Sequence, residues 1–167
     1  MGDSFDRALR EGMQTRSDYG EAAPGSMQAI YKLEEFTEAA GLERPLLELV
    51  KTRVSQINGC AFCIDVHTKD ARDAGETEQR LYGLTRAWRE APYYTERERA
   101  ALAWAEAITN VSQVYETDAE YEAARAQFSA EELVKLTVVV IAVNGWNRLS
   151  NGDRETVGTY QASAKTT

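Results

Sequence analysis

The chain has 167 residues and a mass of 18.6 kDa, room for one ordinary domain with its own core and too little for two sizeable ones. A net charge of −8, from 27 acids against 19 bases, argues against a non-specific nucleic-acid binder, which needs a cationic face to displace phosphate counterions. The longest uninterrupted apolar run, Val138 to Val143, is six residues, against the roughly 20 that a membrane-spanning helix needs.

The first residues, Met1 to Asp6, carry early acids and no apolar signal core, so the expected location is cytoplasmic. Residues 1–25 read as a polar arm with one short helix in Phe5–Met13. Ser26 is the expected cap of a helix whose apolar positions are Met27, Ile30, Tyr31, Leu33 and Phe36, stopped by Gly41. A second helix starts near Pro45, carries Leu46, Leu49, Val50, Val54 and Ile57, and breaks at Asn58-Gly59. A third runs from about Cys60 to Ala74, with Gly75 past its end. Thr77 caps a fourth, carrying Leu81, Leu84 and Trp88.

Thr95-Glu96-Arg97-Glu98 is a capping box, in which hydroxyl and carboxylate satisfy orphan amides reciprocally, and it opens a fifth helix. Asp118 starts a sixth, to about Phe128. Ser129-Ala130-Glu131-Glu132 is a second capping box. The run after it, Leu136 to Val143, is β-branched and strand-like, but the box before it and its continuation through Trp146 and Leu149 favour a central buried helix, apolar nearly all round. The fold class is therefore all-α, one domain of six to eight helices over residues 26–150, with a tail at 151–167. No Gly-rich phosphate loop or dinucleotide fingerprint is visible, and no bound cofactor is expected.

The chemistry-bearing residues cluster. The two cysteines and the single histidine are Cys60, Cys63 and His67. On a helix advancing about 100° per residue, Cys63 lies about 300° and His67 about −20° round from Cys60, so all three share one face. Residues three apart sit roughly 5–6 Å apart, within disulfide range. A helix N-terminus stabilises a thiolate, and His67 can accept or return its proton. If the second helix folds back on the third, Glu48 reaches His67 and fixes its tautomer, completing a proton relay.

The stretch from Glu48 to His67, a Glu, eleven residues, then C-x-x-C-x-x-x-H, resembles the signature of the AhpD-like alkylhydroperoxidases in the carboxymuconolactone decarboxylase superfamily. Thr68-Lys69-Asp70-Ala71 and Trp146-Asn147-Arg148-Leu149 are also similar to that family, and the resemblance spans about residues 18–150. It implies an all-helical fold assembled as trimers or hexamers, and reduction of alkyl or hydrogen peroxides. By position, Cys63 matches the peroxidatic cysteine, Cys60 the resolving one, and Glu48 and His67 the relay. An external dithiol, protein or small thiol, then restores the pair. The best-known peroxidases of that family carry a second His just before the peroxidatic cysteine, where this chain has Phe62. Helix geometry agrees on the attacking residue, because Cys63 is one turn from His67 and Cys60 nearly two. Cys60, at the helix tip, is expected to be the more exposed sulfur. Tyr31 and Phe62 are candidates to line the approach. The alternatives are a thiol–disulfide oxidoreductase, or a non-enzymatic module that senses redox state or binds zinc through the cysteines, His67 and Glu48.

Overall fold

Thr95 and Ser129 each accept a hydrogen bond from the amide three residues on while Glu98 and Glu132 reach back to the cap amides, so both capping boxes form as the sequence predicts. They open two of the helices that build the core. The computed structural model describes residues 15–113 and 117–162; the helix expected in Phe5–Met13 lies outside them. Among the described residues there are eight α-helices and no strand. In chain order they are α1 (Tyr19–Ala22), α2 (Pro24–Glu38), α3 (Arg44–Ile57), α4 (Ala61–Asp73), α5 (Glu78–Gly83), α6 (Glu96–Thr109), α7 (Asp118–Arg125) and α8 (Ala130–Asp153), with a 3-10 turn at Arg86–Arg89 between α5 and α6.

The β-branched run is helical, inside the 24 residues of α8, which span about 36 Å at 1.5 Å per residue. Leu136, Val139, Val140 and Val143 of α8 pack with Leu46, Val50 and Val54 of α3 and Ala101 and Ala105 of α6 in the main core. A second cluster joins Leu49 and Leu102 to Leu84, Trp88 and Tyr94. Trp88 and Arg53 both donate to Glu106 Oε1, at 2.9 and 2.7 Å, so these three polar groups are matched to one another.

Several sequence expectations shift. Ser26 is not a cap: α2 begins at Pro24, whose fixed φ suits a first helical position, with Ala23 before it. The predicted fourth helix stops at Gly83 and resumes as the 3-10 turn, so Trp88 reaches the core from a separate element. α7 ends at Arg125, three residues short of Phe128. Of α2 only Thr37 is buried, and its expected core residues Tyr31 and Phe36 are exposed. α8 is central but not covered all round, since Val134 and Ile141 are 64% and 52% exposed.

The junction between α3 and α4 positions the site. Gly59 has φ +63, in the left-handed region that costs a side-chain-bearing residue roughly 1–2 kcal/mol. The amide of Gly59 donates to Gln56 O at 3.3 Å and that of Cys60 to Ser55 O at 3.0 Å, the Schellman pair that satisfies the last carbonyls of α3. Cys60 is therefore both the last residue of one motif and the N-cap of the next helix. Asn58 locks the turn to α8 by donating to Asn144 and Asn147, at 3.0 and 2.8 Å.

Candidate active site

Cys60 caps α4 with its sulfur, which accepts from the Cys63 amide at 3.3 Å. A thiol here takes the role that Ser or Asp usually takes at an N-cap. Both cysteines are reduced and buried. Cys60 is 0% exposed and Cys63 3%, which reverses the expectation that the tip residue is the more exposed. The cause is α8: Asn147 and Ser150 lie over the start of α4, and the Asn58 bonds hold them there.

The two sulfurs are electrostatically unlike. The Cys63 thiol is pushed down to about 6, first by a hydrogen bond from the Cys60 thiol, then against burial by Asn147, Ser150 and the His67 charge. Cys60 is pushed well up, first by giving that hydrogen bond to Cys63 and next by burial. One proton is thus shared unequally, and the pair favours the negative charge on Cys63. Asn147 is fixed for its role, since its amide nitrogen donates to Ser55 Oγ at 3.0 Å and its oxygen accepts from Asn58.

α3 packs back against α4, and His67 Nδ1 lies 3.1 Å from Glu48 Oε2, so the structure brings these two predicted residues together. Burial pushes the Glu48 carboxyl up, but the hydrogen bond and charge of His67, with Lys51 and Arg44, outweigh it and hold it below the usual range. Burial lowers the Lys51 ammonium, and Glu48 and Glu34 more than restore it. Lys51 donates to Glu34 Oε1 at 2.7 Å. Lys51, Glu34, Ser150 and Tyr160 are site residues that the sequence reading did not single out. Lys51 lies inside the Glu48–His67 stretch, Asp70 inside Thr68–Ala71 and Asn147 inside Trp146–Leu149, so those three had a signal.

Cys63, His67 and Glu48 line one pocket of about 450 Å³, and Phe62 and Tyr31 line it as expected. The Tyr160 hydroxyl donates to Asp70 Oδ1 at 2.7 Å on its wall, and Lys69 holds the Tyr160 carbonyl at 2.8 Å. Donor atoms of Glu48, His67 and Asp70 lie within 4.8 Å of one another, a grouping that could hold a cation. Among the described residues no cysteine sulfur joins such a group, so the zinc set of Cys60, Cys63, His67 and Glu48 is not assembled.

Residues 24–107 match the model of the carboxymuconolactone decarboxylase family. YdfG of Bacillus subtilis (strain 168), described as uncharacterized, is 44% identical over 138 residues, covering 83% of this chain and 93% of that protein. The crystal structure of ATU0492 from Agrobacterium tumefaciens, described as of unknown function and a candidate antioxidant defence protein AhpD, superposes with a TM-score of 0.84 at 42% identity, covering 88% of this chain and 100% of that one. The alkylhydroperoxidase AhpD core of an uncharacterized peroxidase-related protein from Ralstonia eutropha JMP134 superposes with a TM-score of 0.67 at 22% identity, covering 82% and 74%, a likeness of fold alone.

Proposed function

The chain belongs to the carboxymuconolactone decarboxylase family as an AhpD-like member, and on that footing we propose that it is a thiol-dependent peroxidase for alkyl or hydrogen peroxides. The observation that carries the reading is the Cys63 sulfur, its thiol pushed down by Cys60, on the wall of a pocket it shares with the hydrogen-bonded His67 and Glu48.

The Cys63 thiolate attacks the terminal oxygen of the hydroperoxide. The S–O bond forms, the O–O bond breaks, and the product is a sulfenic acid plus an alkoxide or hydroxide. Because Cys60, Asn147 and Ser150 already hold the thiolate, no base is needed to create it. His67 is left to protonate the departing oxygen, and Glu48 orients the ring and supports its positive charge. Cys60 then attacks the Cys63 sulfur. The disulfide forms and the sulfenic oxygen leaves as water, taking the Cys60 proton. An external dithiol reduces the disulfide and is itself oxidised to one. With Cys60 fully covered, we propose that this thiol enters by the substrate pocket and attacks Cys63, with Cys60 leaving and taking a proton.

The thiol–disulfide oxidoreductase alternative shares the disulfide and its exchange with an outside thiol, and differs in needing no peroxide turnover. We also propose a homo-oligomer, trimer or hexamer, a reading supported by the exposed Val134 and Ile141 on α8. Among the described residues no helix is long and apolar enough to cross a membrane. Peroxide consumption with and without a small dithiol tests the function. Turnover that requires the dithiol and is lost in Cys63→Ser is expected; equal consumption by that variant would contradict it.

A further inference from the structure

The pocket at Cys63 is far larger than the reacting group needs. A second cavity of about 600 Å³ adjoins it, and the two share Met27, Tyr31, Trp146, Ser150 and Glu155. Hydrogen peroxide fills roughly the volume of one or two water molecules, about 30 Å³ each. A cleft of this size instead fits an organic body. Its apolar walls are Met27, Phe62, Val66 and the Tyr31–Trp146 pair, whose ring centres are 5.3 Å apart. Contacts there can supply binding energy for the step at the thiolate.

The charge of the cleft is one-sided. Glu34 and Glu38 from α2, Asp70 from α4 and Glu155 after α8 line it along with Glu48. Among the described residues the one lysine in the pocket lining, Lys51, is held by Glu34 at 2.7 Å and drawn to Glu48. His67 is committed to Glu48. An incoming carboxylate meets these acids and the Cys63 thiolate together, and among the described residues lining the Cys63 pocket it finds no cation that is not already matched to an acid; Arg16 lines only the adjoining cavity, where it donates to the Gly152 carbonyl at 3.0 Å.

Resting on the peroxidase reading, we propose that this cleft selects uncharged organic hydroperoxides and turns away anionic ones of the same skeleton. Several like charges within about one Debye length, roughly 8 Å at physiological salt, multiply to discrimination on the order of ten-fold or more.

The test compares an aryl-alkyl hydroperoxide with the same molecule bearing a ring carboxylate, on the full-length protein with a small neutral dithiol. The uncharged compound should have a kcat/KM at least about ten-fold higher at low salt. That ratio should shrink as ionic strength rises and in the double variant Glu38→Gln/Glu155→Gln. Equal constants for the two compounds, or a ratio that neither salt nor the double variant moves, would overturn the selectivity and leave the peroxidase reading standing. Consumption of neither compound, with Cys63 still reduced, would instead remove the peroxidase reading and the selectivity with it.

Discussion

The Cys63 amide donates to the Cys60 sulfur at 3.3 Å, so the bond that caps α4 also fixes the two thiols against each other. The helix cap and the proposed redox pair are one feature here. The Schellman turn at Asn58-Gly59 delivers Cys60 to the cap, and three residues later the chain returns Cys63 to the same face.

That arrangement sets the pH dependence. With the Cys63 thiol at about 6, attack on peroxide should rise with pH through that value and level off by about neutrality. An ordinary thiol would instead rise near about 8.5. Ser150→Ala removes a hydrogen bond to the thiolate and should move the rising limb upward. Ultraviolet titration of the thiolate in both proteins checks this; an unchanged midpoint in the variant contradicts it.

In the proposed relay Glu48 acts through His67, so Glu48→Gln should slow peroxide attack by about 10²-fold, within the usual scale of acid–base help, with the fold kept. It should also flatten the acid end of the stability curve. The Glu48 carboxyl is lowered in the folded protein, so its stabilising contribution is present above the ordinary carboxylate range and is lost as pH falls through its folded value. Denaturant titration from neutral pH down through and below the ordinary carboxylate range measures this. Curves for wild type and variant that stay parallel would contradict it.

Cys60→Ala removes the thiol whose hydrogen bond is the first cause of the low Cys63 value and puts no donor in its place. The variant should have a higher Cys63 midpoint and stop after one sulfenic acid, which a dimedone-type probe traps on Cys63. Continued multiple turnover in this variant would show that no intramolecular disulfide is needed.

Gly59→Ala should cost about 1–2 kcal/mol. The cost comes from φ +63 alone, because a Cβ there meets nothing within 4 Å. For a chain of this size that lowers Tm by roughly 2–8 °C. A Tm unchanged from wild type would contradict the left-handed assignment.

What the sequence discloses and what it hides follow the range of the forces involved. The two capping boxes, the Asn58-Gly59 break and the shared face of Cys63 and His67 are local, set by residues within a turn or two, and each is readable from spacing. The Glu48–His67 contact is 19 positions apart but crosses one tight turn, so folding α3 onto α4 is enough to predict it. The contribution of Ser150 to the thiolate and the Tyr160–Asp70 bond, 90 positions apart, depend on how α8 and the segment after it lie over α4, which no periodicity records. The same packing explains the reversed burial of Cys60: a helix tip is exposed only when nothing covers it. The predicted helix through Trp88 breaks because Gly83 ends α5 and Thr85 is extended, a conformation its apolar spacing does not register.

The most direct measurement is mass spectrometry of the Cys60–Cys63 peptide after one equivalent of an uncharged hydroperoxide is added to the fully reduced protein. The account predicts consumption of the peroxide, loss of two thiols, and a disulfide within that peptide. Peroxide consumed with both thiols still free, or a sulfenic acid formed on Cys60 at the wild-type rate in Cys63→Ser, would contradict it.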